Sequence, residues 1–131
     1  MGQTKIDLRF SKLSKALDGL EQAERLPMTT DHLARDTTIH RFKFGVDLSL
    51  RLLKTILESL GTHVHSPKPV LQEAFANHLI DDKQVWLDML KDRNLTSHTY
   101  DQQIADEIFS NIRTYIPLLR KTFNKLTKEF A

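Results

Sequence analysis

Three side chains lying close together in this sequence could act on a phosphate. Arg93 carries a permanent cation, His98 an imidazole that exchanges protons near neutrality, and Tyr100 a phenol whose oxygen can accept a group. A guanidinium can balance charge developing on phosphoryl oxygens, so the set suits phosphate chemistry. Taken alone, the residues leave a second reading open. Arg93 could pair with a nearby aspartate while His98 and Tyr100 cap or pack at a helix junction.

The elements that must position them begin with an amphipathic helix. Val85, Trp86, Met89 and Leu90 recur at the three-and-four spacing of one buried stripe. Arg93 follows Trp86 by seven residues and so continues that stripe, where its charge needs an anionic or carbonyl partner. Leu95 falls on the opposite face. Thr96-Ser97-His98-Thr99 has poor helix propensity and hydroxyls that can bond nearby backbone, so the helix should end or distort there. Asp101 can cap a new helix. In a segment leaving the helix in extended form, His98 and Tyr100 would project to the same side.

The rest of the chain also reads as helices. The first spans about Thr4 to Arg25, burying Phe10, Leu13, Leu17 and Leu20, and Pro27 ends it. Thr30 or Asp31 caps a long second helix that stops at Gly61 and spans ~45 Å. Its seam is Ile39, Phe42, Val46, Leu50, Leu53, Leu57 and Leu60. A further stripe of Phe44, Leu48, Leu52 and Ile56 suits either a central helix or one shared with a second subunit. Thr62 to Ser66 form a loop. Pro67 opens a short third helix burying Val70, Leu71, Ala74 and Phe75. Asp81 or Asp82 caps the fourth. The fifth, from Asp101, buries Ile104, Ile108, Ile112, Tyr115, Leu119, Phe123 and Leu126, and Pro117 must kink or break it.

With 131 residues, 40% of them apolar and 27% charged, residues 1–131 read as one helical domain. The absence of cysteine removes disulfides, thiol catalysis and Cys-ligated zinc. Met1-Gly2-Gln3-Thr4-Lys5 leads into a charged helix with no apolar h-region, and no run approaches membrane-spanning length. A cytoplasmic chain without membrane contact is expected. From Glu73 to Glu107, Lys83, Lys91 and Arg93 face a larger number of acids. A polyanion would therefore be repelled near the central motif unless bases from elsewhere, or from a second copy, frame it. His63 and His65 have no assured carboxylate partner and read as solvated loop, so neither metal nor cofactor is expected. Asp81/Asp82 and Asp88/Asp92 read as helix N-terminal charges and a solvated face.

Arg93-Asn94-Leu95-Thr96-Ser97-His98-Thr99-Tyr100 resembles the signature of the HEPN family, extended by the x-Tyr ending of its HepT toxin branch. That signature is an Arg, a polar residue, three variable residues and a His. Trp86 to Asp101 and the order of helices resemble the nucleotidyltransferase substrate-binding proteins of the same superfamily. These are commonly encoded beside a minimal nucleotidyltransferase. The resemblance runs from the first helix to Phe123. It implies an all-α antiparallel bundle of about five helices, KNTase C-terminal-like and homodimeric. Relatives often carry Glu-Leu-Ala-Trp-Lys in the long helix, where this chain has Asp47-Leu48-Ser49-Leu50-Arg51.

Two functions follow from the resemblance. The first is a metal-independent endoribonuclease, the toxin of a toxin–antitoxin pair. His98 would move the proton, Arg93 would stabilise phosphoryl charge, and Asn94 would orient the phosphate or Arg93. The partner nucleotidyltransferase, as antitoxin, would adenylylate Tyr100 and silence the enzyme. The second is a non-catalytic subunit that presents substrate to the nucleotidyltransferase.

Overall fold

A computed structural model describes residues 4–131 as five α-helices and one 3-10 turn. They are α1 Lys5–Glu24, α2 Leu33–Ser59, α3 Pro67–Ala76, α4 Lys83–Leu95, the turn Thr96–His98, and α5 Gln102–Phe130. Met1, Gly2 and Gln3, read above as the lead-in to the first helix, lie outside the described residues.

Local sequence accounts for most of the boundaries. Thr4 and Asp7 form a reciprocal capping box at α1. Asp82, not Asp81, caps α4 by accepting from the Val85 N–H at 3.1 Å. Asp101 caps α5 through the N–H groups of Gln103 and Ile104. α2 starts later than Thr30 or Asp31 would place it, because His32 adopts left-handed backbone at φ 60° and sets the turn into Leu33. Gly61 ends α2 as expected. At φ 91° it lets its own N–H reach Glu58 and the Thr62 N–H reach the Leu57 carbonyl at 2.8 Å, closing a Schellman motif. Pro117 does not end α5. Both Pro117 and Arg113, whose carbonyl loses its partner, are exposed, so water can satisfy the freed group.

Packing builds one contiguous core from all five helices. α1 lies antiparallel to α2, tied by Lys5 to Glu58 at one end and by Arg41 to the Gly19 carbonyl at the other. Gly45 sits against Leu17 and Leu20, so the two helices approach closely there. α4 runs antiparallel to α5, with Asp81 paired to Lys125 and Asp92 to Tyr115. α3 follows the loop after the end of α2, and α4 with the turn after it carries the central motif.

Two apolar stripes are narrower than periodicity implies. Leu52 and Ile56 of the further α2 stripe are fully buried by the chain's own helices, Leu48 is partly buried, and only Phe44 stands out at 50% exposure. Most of the surplus surface that suited a second subunit is thus used within the chain. Phe75 is exposed, lying under the Lys83 ammonium at 5.6 Å instead of entering the core.

Candidate functional site

The last turn of α4 points its residues at three different neighbours. Asp92 turns inward and is only 8% exposed. Its Oδ2 accepts from the Tyr115 hydroxyl at 2.7 Å and from Asn111 Nδ2 at 3.0 Å, both on α5. This corrects the reading of Asp88/Asp92 as a solvated pair: Asp88 is exposed, Asp92 is the buried acceptor that Tyr115 needs. Burial, then the hydrogen bond to Asp92, push the Tyr115 phenol upward from its ordinary value.

Arg93 turns the other way, toward α2. Its Nε and Nη2 donate to Oδ1 and Oδ2 of Asp47 at 2.6 and 2.9 Å, a bidentate pair with both partners partly buried. The bond to Asp47 raises the Arg93 pKa against the opposing effect of burial. The partner demanded by the apolar stripe is therefore Asp47. Two of the five guanidinium N–H groups are used, and the remaining three are left for another acceptor.

Asn94 and His98 lie on a third side. Together with Lys68, Lys91 and Asp88 they line a groove of about 620 Å³ between α3 and α4. Arg93 instead lines a separate depression of about 340 Å³ with Asp47, Arg51, Lys54 and His65. The structure thus brings His98 together with Asn94 and Tyr100, and places Arg93 in the lining of the separate depression instead.

His98 Nδ1 lies 3.2 Å from the Tyr100 hydroxyl. The contact is made on a tight turn, not on extended chain. Thr96, Ser97 and Thr99 hydroxyls donate to the carbonyls of Arg93, Asn94 and Thr96, which holds the backbone in helical rotation through Thr99. Tyr100 is 79% exposed, so its phenol is reachable from outside.

A further buried cation supports the junction from beneath. Arg35, 3% exposed, donates to Asp106 Oδ1 at 2.9 Å, Gln102 Oε1 at 2.7 Å and Asp36 Oδ1 at 3.0 Å. It fixes the start of α5 to α2. Burial lowers its pKa, but the bonds to Asp106 and Asp36 outweigh that and raise it. Arg51, Lys54 and Asp47 are further residues that spacing could have found, since they occupy one face of α2 at four and seven residues. No helix among the described residues is long and apolar enough to cross a membrane.

Comparison with known proteins gives the family and the fold. Residues 8–128 match the family model described as nucleotidyltransferase substrate binding protein like. A Haemophilus influenzae protein named "Probable ribonuclease HepT" is 32% identical over 83 residues, 60% of this chain and 57% of that protein. The match therefore spans little more than half of the curated relative's length. A crystal structure of a Thermus thermophilus protein superposes with a TM-score of 0.80 at 31% identity, covering 87% of this chain and 98% of the other. A second solved structure, from Haemophilus influenzae, is described as revealing the fold of a substrate binding domain of a nucleotidyltransferase. It superposes with a TM-score of 0.69 at 25% identity, covering 93% and 96% of the two chains.

Proposed function

The chain belongs to the nucleotidyltransferase substrate binding protein-like family, and from that premise we propose that it is a metal-independent endoribonuclease toxin, silenced by a minimal nucleotidyltransferase partner. The observation that carries this reading is the exposed His98–Tyr100 pair beside Asn94. A proton-transfer group and a nucleotidyl acceptor share one hydrogen bond, so the state of one bears directly on the other. The relative named as a ribonuclease supports the same reading.

In this chemistry the ribose 2′-oxygen attacks the adjacent phosphorus and the bond to the 5′-oxygen breaks. The products are a cyclic phosphate and a free 5′-hydroxyl. One imidazole takes the proton from the 2′-hydroxyl and a second returns one to the 5′-oxygen. His98 supplies the first, and His98 of a second copy in a homodimer supplies the other. Arg93 presents its remaining N–H groups to the phosphoryl oxygens, held at a fixed angle by Asp47. Asn94 orients the phosphate. The reading places the chain in the cytoplasm, where its RNA substrate and partner meet.

Silencing uses the phenol. Tyr100 oxygen attacks the α-phosphorus of ATP on the partner, pyrophosphate leaves, and the phenolic proton passes to a base. The new AMP ester removes the hydroxyl proton from the His98 contact and puts an anion beside the imidazole, repelling RNA.

A second reading is favoured by one observation, the occupation of Arg93 by Asp47. In that case the chain is a non-catalytic subunit that presents substrate to the nucleotidyltransferase. Incubation of the purified chain with RNA in EDTA separates the two. Cleavage supports the ribonuclease, and intact RNA together with tight nucleotidyltransferase binding supports the subunit.

A further inference from the structure

We propose that Arg51, Lys54 and His65 form, beside Arg93, a subsite for a nucleotide phosphate, occupied by a phosphodiester of RNA next to the one at His98. The assignment rests on the ribonuclease reading for its occupant but not for its chemistry. The four basic side chains line one depression of about 340 Å³, within the range of small-ligand clefts. Its acidic member, Asp47, already has both oxygens on Arg93. Among the described residues, neither Arg51 nor Lys54 has a carboxylate within 4.0 Å.

The arrangement follows from the sequence. Asp47, Arg51 and Lys54 stand at successive turns on one face of α2, so the two free cations rise from the Arg93 pair in a row. His65 comes from the loop that carries the chain back to α3. That helix opens at Pro67 on the rim, and its positive end adds to the field. Leu50 and Val70 provide an apolar floor against which a ribose can lie. These are the bases from elsewhere that the acid-rich segment around the motif requires.

An RNA strand fits better than a lone nucleotide because the depression and the His98 groove meet at consecutive residues. Arg93 opens onto one and Asn94 onto the other. A strand whose scissile phosphate sits at His98 passes over the end of α4 and sets its neighbouring phosphate among Arg51, Lys54 and His65.

The test uses the full chain carrying His98→Ala, which removes cleavage, and a short fluorescein-labelled single-stranded RNA. Arg51→Gln with Lys54→Gln is compared with Lys121→Gln plus Lys128→Gln, an equal charge change on the far part of α5. The first pair is expected to weaken binding ~10-fold and flatten the salt slope by about 1.4, while the second changes affinity less than ~2-fold. Equal weakening by both pairs overturns the subsite in favour of diffuse charge. No effect of Arg51 and Lys54, with the parent chain still cleaving RNA, overturns the subsite and leaves the ribonuclease standing. If RNA fails to bind but AMP or ATP does, and the first pair abolishes it, the phosphate subsite holds with a free nucleotide as its source. The ribonuclease reading then fails.

Discussion

Arg93 and Asp47 grip each other edge to edge between α4 and α2, through bonds of 2.6 and 2.9 Å. Because Asp47 consumes only one edge of the guanidinium, it aims the other without blocking it. Asp47→Asn keeps the shape but loses one strong acceptor and the charge. It is expected to lower stability by about 1–2 kcal/mol in urea unfolding. If the pair positions Arg93 for catalysis, RNA cleavage by that variant falls ~10-fold or more while the helical signal persists.

Tyr115 offers a pH test. Its phenol is held above the ordinary value of 10.0 by burial and by Asp92. Between ~pH 10 and the higher folded value the native chain keeps a proton that the unfolded chain has lost, so unfolding free energy declines as pH rises. Below that window both states are protonated and this group adds no slope. Tyr115→Phe is expected to flatten the alkaline slope and to cost about 1.5–3 kcal/mol at neutral pH through the lost bond to Asp92. An unchanged slope in the variant would assign the effect elsewhere.

Asp92 should matter more to stability than its charged surroundings suggest. Asp92→Ala leaves the buried Tyr115 hydroxyl without its acceptor and opens space beneath α4, an expected loss of ~2–4 kcal/mol. Asp88→Ala, on the exposed face of the same helix, should change stability by less than about 0.5 kcal/mol. Equal losses would contradict the division between them.

If Tyr100 accepts a nucleotidyl group as proposed, incubation with a minimal nucleotidyltransferase, ATP and magnesium should add one AMP to the parent chain, mapped by mass to the peptide containing Tyr100, and none to Tyr100→Phe. Uptake by Tyr100→Phe at the parent's rate would rule this residue out as the acceptor.

The helical bundle and the junction after Leu95 were legible because apolar spacing and capping residues act locally. The demand of Arg93 for a partner was legible too, since a cation on a buried stripe has few choices. The same rule picks out Arg35, four residues before Ile39 and seven before Phe42, although two of its three acceptors, Gln102 and Asp106, lie on distant α5. Asp92 was not legible as buried from its own helix. The informative signal lay across the fold in Tyr115, a phenol on a buried stripe that must find an acceptor. The turn geometry at His98 escaped the sequence because three hydroxyl-to-carbonyl bonds, each weak, jointly keep the backbone helical where extension was expected.

If His98 moves a proton in RNA cleavage without metal, its removal stops the reaction and chelation does not. The most direct measurement follows cleavage of single-stranded RNA in EDTA by the parent chain and by His98→Ala, with product ends analysed and the fold of each checked by its helical signal. Cyclic-phosphate and 5′-hydroxyl ends are expected from the parent, with a loss of at least ~100-fold in rate for a fully folded His98→Ala. Parent-level cleavage by His98→Ala, or activity that disappears in EDTA, would contradict it.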